Sequence, residues 1–457
     1  MRISTINPTT GEAFAAYETD SPSEVDRKLA AAVTAFAANR QTSFEERGRW
    51  LLRVADLLGE RADALAELAT REMGKTLAAG RAEVLKCALG CRYYAEHGAE
   101  FLADEPADGP AVEASRARVR WEPLGAVLAV MPWNYPFWQV LRFVAPTVMA
   151  GNVAVLKHAS NVSGCALALQ SLFADAGVPE GTFQCVIVAS GDVAGIIADP
   201  RIAAVTLTGS EGAGKAVASA AGSSLKKAVL ELGGSDPFVV LPSADVAAAA
   251  RVGVKSRFQN AGQSCIAAKR FVVHSACLDE FTAAFVEHAR ALLVGDPTDA
   301  ATDMGPLATA SGLDDIRALV EDAVVHGAHV ACGGAALEGP GWYFQPTVLT
   351  GVTPEMRIYR EEAFGPVATI IEVDSLNEAL AVANDTEFGL SANAWTNDAA
   401  EIQALTERLE AGAVFVNGMT ASYPPLPFGG IKSSGYGREL ASFGMREFCN
   451  AKTIWEA

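Results

Sequence analysis

Cys265 follows a polar, glycine-containing turn, Gly262-Gln263-Ser264. A cysteine so placed can act as a nucleophile if its surroundings stabilise the thiolate, which is the reactive form. The plainer reading is a small buried hydrophobe. Glu231 closes the apolar run Val229-Leu230 and is followed by Leu232-Gly233-Gly234. A carboxylate there is poorly placed for a solvated face, and the strand ends of parallel sheets are where active sites collect. The alternative is a carboxylate paired with a buried cation or with backbone donors. The third signal is Thr208-Gly209-Ser210-Glu211-Gly212-Ala213-Gly214. Glycines between a strand and a helix let a pyrophosphate approach backbone N–H groups and the helix N-terminus. The spacing departs from G-x-G-x-x-G, so a plain glycine-rich turn competes with this reading.

These residues need a scaffold. Near-continuous apolar runs read as strands at Gly125–Met131, Val153–Leu156, Phe183–Val188, Ala203–Thr208 and Lys227–Glu231. Helices are expected between them, at Cys165–Ala176 and Gly212–Ala221. That alternation means a parallel sheet covered on both faces. A second series runs from Phe238 to about Asn417, with helices near Ala244–Gly262, Leu278–Leu293 and Leu313–Gly327. Pro22 to His97 is helical by its 3.6 period, Pro106–Pro110 is loop-like, and Val119–Glu122 is a short strand. Phe448–Trp455 could form an edge strand or arm.

The chain has 457 residues, half of them hydrophobic and 20% charged, which suits two or three well-buried domains. A net charge of −18 argues against a nucleic-acid partner, since phosphate binding needs basic patches. It also poses a question for an anionic substrate, which would need a local positive site. No run approaches the ~18 apolar residues of a membrane span, so no membrane association is expected. The N-terminal residues lack the apolar stretch of a signal peptide. Eight cysteines without a paired framework point to a reducing compartment and a cytoplasmic protein. Cys87 and Cys91 share a helix face but have no second pair, so no metal site is expected.

Together the motifs resemble those of the aldehyde dehydrogenase superfamily along essentially the whole chain. Pro132-Trp133-Asn134-Tyr135-Pro136 matches its Pro-Trp-Asn motif. Leu230–Gly234 and Gly262–Cys265 match its glutamate and cysteine motifs at the usual separation. Glu361-Glu362-Ala363-Phe364-Gly365-Pro366 and Pro427-Phe428-Gly429-Gly430 follow in family order. A narrower resemblance, to bacterial succinate-semialdehyde dehydrogenases, rests on Phe137-Trp138-Gln139, Leu156–Ser160, Leu230–Phe238, Gln263–Arg270 and Arg446–Asn450.

The resemblance implies an α/β fold with a Rossmann-like cofactor domain (1–103 and 124–233) and an α/β catalytic domain (234–432). Residues 104–123 and 433–457 would form a small β oligomerisation arm and tail, giving a homodimer or homotetramer. It also implies a mechanism. Glu231, directly or through water, takes the proton of Cys265. The thiolate attacks an aldehyde, and Asn134 with the Cys265 N–H holds the oxyanion. After hydride transfer to the nicotinamide, Glu231 activates water to hydrolyse the thioester. Cofactor contacts are expected from Trp133, Lys157, Ser160, Gly209, Ser210, Gly214, Leu232, Glu362 and Phe364, with Glu362 on the nicotinamide ribose.

Relatives that prefer NAD usually carry a glutamate where this chain has Ser160. A carboxylate would repel a 2′-phosphate of roughly −1.5 to −2 charges, whereas a serine can donate to it and Lys157 can add charge. NADP is therefore the expected cofactor, with NAD used less well. A plain helix-start role is the alternative for Ser160. The expected substrate is succinate semialdehyde. Other small aldehydes such as glutarate semialdehyde, a CoA-acylating reaction, and a non-catalytic role on the same scaffold are the rivals. Arg142, one cation in an apolar helix, would bind the distal carboxylate bidentately, helped by Ser422; pairing with a structural carboxylate is the other reading.

Overall fold

The apolar run Val153–His158 is buried at every position, as a strand covered on both faces must be. It belongs to a six-stranded sheet in the computed structural model, which describes residues 2–457. Across that sheet the order is Gly435–Tyr436, Lys227–Glu231, Ile202–Thr208, Ala126–Met131, Val153–His158 and Phe183–Cys185. All neighbours are parallel except the first pair. A second sheet has seven strands, in the order His329–Cys332, Thr347–Thr350, Val367–Val373, Ala268–His274, Asp236–Val240, Ala392–Trp395 and Val414–Val416. Only its first pair is antiparallel.

Register decides where chemistry can happen. Thr208 lies opposite Glu231, and Val130 opposite Lys157, so the carboxyl ends of four strands share one edge of the first sheet. The second sheet turns its other edge to the same place. Asp236 pairs with Ala268, just after Cys265, and Val367 begins its strand just after Phe364 and Pro366. A ligand cleft at the carboxyl edge of a parallel sheet is thus closed by the amino edge of a second.

Helices start where short polar side chains can cap them. Ser21, Ser43, Thr76, Ser210, Asp245, Thr309, Ser375 and Asp398 each accept an N–H of their helix's first turn. The helix Trp138–Met149 is wholly buried and lacks such a cap. Glu83, from the helix Leu77–Phe101, instead accepts the N–H groups of Phe137 and Trp138 at 2.8 Å. A carboxylate there also suits the positive end of the helix dipole.

Three local expectations change. The strand expected over 183–188 ends at Cys185. Pro106 lies in a short strand, Glu105–Ala107, at the edge of a three-stranded antiparallel sheet with Arg116–Pro123 and Cys449–Glu456. An edge tolerates proline because no ladder N–H is required there. The N-terminal hairpin, Arg2–Asn7 with Glu12–Glu18, is not announced by the sequence because its strands are mostly exposed or half-buried and carry little apolar alternation. No helix among the described residues is long and apolar enough to cross a membrane.

Gly412 offers a test of how tightly the second sheet holds the Pro427–Gly430 segment. A Cβ at Gly412 would collide with the Gly429 carbonyl, whereas one at Gly195, inside the helix Val193–Ala198, would meet nothing. Gly412→Ala should destabilise by about 1–3 kcal/mol, and Gly195→Ala should stabilise by about 0.5–1 kcal/mol. Thermal unfolding of the two variants checks this; equal melting temperatures would refute it.

Candidate active site

Between the two sheets lies a cleft of about 260 Å³. Trp133, Asn134, Gly209, Ser210, Leu232, Cys265, Glu362 and Phe364 all line it, so residues 231 positions apart in sequence share one wall. Trp133 and Phe364 meet edge to face, 5.7 Å between ring centres, and form an apolar side.

Cys265 is positioned by an unusual backbone. Asn260, Ala261 and Gly262 are left-handed in succession, with φ of 54°, 53° and 72°. Only glycine adopts that region without cost. Side chains hold the turn. Asn260 Nδ2 donates to the carbonyls of Asn134 (2.9 Å) and Gln263 (3.0 Å), and Asn134 Nδ2 donates to the same Gln263 carbonyl at 3.1 Å. Gln263 Oε1 accepts the Ala308 N–H at 2.9 Å. The buried Arg257 guanidinium donates to the carbonyls of Gly262, Ala363 and Gly365. One Asn134 N–H is thus used for anchoring, and the other has no hydrogen-bond partner among the described residues.

Lys269 ties the loop to the opposite wall. Its Nζ donates to the carbonyls of Ser264 (3.0 Å) and Cys265 (2.8 Å) and pairs with Glu362 at 3.1 Å. Glu362 also accepts the Gly234 N–H at 3.0 Å. A Cβ at Gly233 would strike the second Glu362 oxygen, so this glycine makes room for that carboxylate. Asn260, Arg257 and Lys269 were not anticipated from sequence. The usable signal was a pair of adjacent cations, Lys269 and Arg270, in the strand Ala268–His274, whose largely apolar remainder means they must find partners.

Burial pushes the Cys265 thiol up to about 12, against the pull of Arg142 and Lys269. Glu231 is 2% exposed, and neither carboxylate oxygen has a hydrogen-bond partner. Burial first, and the Glu439 carboxylate second, hold it well above the usual carboxylate range. It sits against Gly429, where a Cβ would come within 2.6 Å of Oε1. It makes no hydrogen bond to Cys265, so a proton passing between them needs water or a movement of the side chain.

The expectation for Arg142 gives way. Its Nε pairs with Glu439, both side chains being almost fully buried, and its Nη2 donates to Thr208 at 3.3 Å. The guanidinium lies 4.6 Å from the Phe428 ring centre. Its charge is met inside the protein because an unpaired cation in an apolar helix would be costly. Gly214 is also placed differently: it is buried below the cleft wall, where a Cβ would come within 2.6 Å of Leu232. It serves helix-to-strand packing. Ser422 accepts from Trp138 Nε1 and Lys86 Nζ, each at 2.9 Å.

Near the carboxyl end of the strand Val153–His158, Lys157 is buried with no hydrogen-bond or ion-pair partner among the described residues, and burial lowers its pKa. Ser160 is exposed and opens a short 3-10 turn without capping it. An unpartnered cation, an uncommitted hydroxyl and the helix N-terminus at Ser210 suit a phosphate-bearing dinucleotide. Among the described residues, no group of three or more His, Cys, Asp or Glu could hold a metal ion. Cys87 and Cys91 are buried in the core.

A cysteine beside an amide donor, in a cleft between the carboxyl edge of one parallel sheet and the amino edge of another, fits an oxidoreductase acting on carbonyls. The chain belongs to the aldehyde dehydrogenase family, whose model matches residues 1–454. It is 56% identical over 456 residues to a succinate-semialdehyde dehydrogenase (NADP+) of Mycobacterium avium strain 104, covering 100% of this chain and 97% of that relative. A protein of the same name from Mycobacterium tuberculosis is 55% identical over 457 residues, covering all of both chains. The succinic semialdehyde dehydrogenase of Streptococcus pyogenes, solved with NADP+ as the cofactor, superposes with a TM-score of 0.96 at 36% identity, covering 99% of each chain.

The thiol environment makes a measurable statement. Without added cofactor, alkylation of Cys265 by iodoacetamide should quicken by roughly tenfold per pH unit from about pH 7 to 10, because only the thiolate reacts. Peptide mass spectrometry follows that site. A plateau near pH ~8.5, the free-cysteine value, would contradict the raised pKa of this half-buried thiol.

Proposed function

We propose that this enzyme oxidises succinate semialdehyde to succinate, with NADP as preferred cofactor and NAD used less well. The observation that carries the substrate is 55–56% identity over the full length to enzymes of that name. Ser160 and Lys157 support the cofactor. Lys157 supplies a buried charge without a carboxylate to cancel it, and Ser160 has a free hydroxyl where a glutamate would repel a 2′-phosphate.

Each residue then has a role. Trp133, Phe364, Leu232, Gly209 and Ser210 form the walls that would hold the dinucleotide, and Glu362 would hold a ribose through the oxygen left beside Gly233. The nicotinamide, when bound, supplies the hydride acceptor. Cys265 attacks the aldehyde carbon once its proton has left. The Asn134 N–H not used on Gln263 and the Cys265 N–H donate to the resulting oxyanion; one such donor contributes about 3 kcal/mol of transition-state stabilisation. Oxidation leaves a thioester on Cys265. Glu231, a carboxyl whose burial raises its basicity, takes the proton from the water that hydrolyses it.

The three-stranded sheet of Glu105–Ala107, Arg116–Pro123 and Cys449–Glu456 would join subunits into a homodimer or homotetramer, with 1–103 and 124–233 as cofactor domain and 234–432 as catalytic domain. The enzyme would work in the cytoplasm, where its eight unpaired cysteines stay reduced.

Steady-state kinetics test the proposal. kcat/KM should be higher for succinate semialdehyde than for butanal, and higher with NADP than with NAD. Preference for butanal would reject the substrate, and a clear NAD preference would reject the cofactor assignment. Ser160→Glu should reduce NADP use roughly 10–100-fold, the scale of a lost charge-assisted hydrogen bond, while largely sparing NAD. Equal losses with both cofactors would mean that Ser160 does not face the 2′-phosphate.

A further inference from the structure

His158 ends the strand Val153–His158 and lies beside Met131, the last residue of the strand Ala126–Met131. Met131 runs directly into Pro132-Trp133-Asn134-Tyr135-Pro136, the segment that carries Asn134. The prolines at its two ends have no N–H, so the segment makes few backbone hydrogen bonds of its own and needs other anchors. The buried His158 ring touches both of its ends. Nε2 lies 2.9 Å from the Pro136 carbonyl oxygen, and Nδ1 lies 3.1 Å from the Met131 carbonyl oxygen.

The surroundings fix the ring's proton. The Ala159 N–H donates to Nδ1 at 3.0 Å, so Nδ1 carries the lone pair. Burial pushes the imidazole below its ordinary pKa, which keeps it neutral at neutral pH. The one ring proton is then on Nε2, which donates to Pro136. That carbonyl has no other hydrogen-bond partner among the described residues. The Phe137 N–H, on the other side of the same peptide group, donates to Glu83. The peptide between Pro136 and Phe137 is therefore held through its oxygen by His158 and through its nitrogen by Glu83. Asn134 stands two residues earlier, with one amide N–H on the Gln263 carbonyl.

We propose that His158 is a positioning residue for Asn134: by clamping the Pro132–Pro136 segment, it sets where the unshared Asn134 N–H points. The inference rests on the role given above to Asn134 in holding the oxyanion. In sequence His158 lies between Lys157 and Ser160, but its ring contacts the Pro-Trp-Asn segment. Loss of the imidazole would leave the Pro136 carbonyl without a donor and free that end of the segment to shift, and a catalytic group displaced by an ångström loses much of its effect.

The test is a double-mutant cycle on the single-turnover rate of NADPH formation, with saturating enzyme and NADP. Asn134→Ala should lower that rate roughly 10²–10³-fold, as for a lost oxyanion donor. His158→Leu should lower it roughly 10–100-fold, the scale of a misplaced catalytic group. Once Asn134 is already alanine, the same change should cost less than about twofold, because the two residues act through one group. His158→Gln, which keeps a donor, should recover most of the rate. Should the Leu variant fold poorly, His158→Phe, which keeps a ring without a donor, is read the same way. Losses that multiply in the double variant, or a His158→Leu variant at wild-type rate, overturn the inference. An Asn134→Ala variant at wild-type rate rejects the oxyanion role and the inference with it. The factors should be the same with succinate semialdehyde and with butanal, so a wild type that prefers butanal rejects the substrate reading while the cycle still decides the role of His158.

Discussion

Three successive left-handed residues, Asn260 to Gly262, set the position of the nucleophile, and much of the structure serves to hold them. Such a run costs roughly 1–2 kcal/mol at each non-glycine residue. The compensation comes from distant parts of the chain. Arg257 reaches the Ala363 and Gly365 carbonyls, Lys269 reaches Glu362, and Asn260 and Asn134 share the Gln263 carbonyl. The cysteine loop, the Pro-Trp-Asn segment and the Glu362 segment are therefore one hydrogen-bonded object. Its parts come from both sheets, so the cleft exists only when both have folded and docked.

Charge inside this region differs from that of the acidic surface. Two buried cations adjoin the cleft, Arg142 through Thr208 and Lys269 through the Cys265 carbonyl. Both have carboxylate partners, Glu439 and Glu362, whereas the buried Lys157 has none among the described residues. The paired cations position carboxylates and ease ionisation of Cys265.

Much of this was legible in sequence, and the limits have physical reasons. Strand Lys227–Glu231 was read with its true ends because the apolar run stops at two glycines. Trp133, Asn134, Gly209, Ser210, Leu232, Cys265, Glu362 and Phe364 were all named and share the cleft. Arg142 was read as the cation for a substrate carboxylate, with an internal pairing as the alternative, but its partner Glu439 lies almost 300 residues away and nothing local announces it. Gly214 looked like a phosphate contact, yet its missing side chain makes room for Leu232. Motifs reveal groups that act on ligands, while pairings across the core depend on a docking that local sequence does not encode.

The central claim is that Cys265 carries the acyl group and Glu231 releases it. The direct measurement is rapid mixing of Glu231→Gln with succinate semialdehyde and NADP, followed by intact-protein and peptide mass spectrometry. The account predicts a burst of NADPH of about one equivalent per site, slow turnover afterwards, and a succinyl adduct on Cys265. Wild-type turnover in that variant, or a burst with no adduct on Cys265, would contradict it.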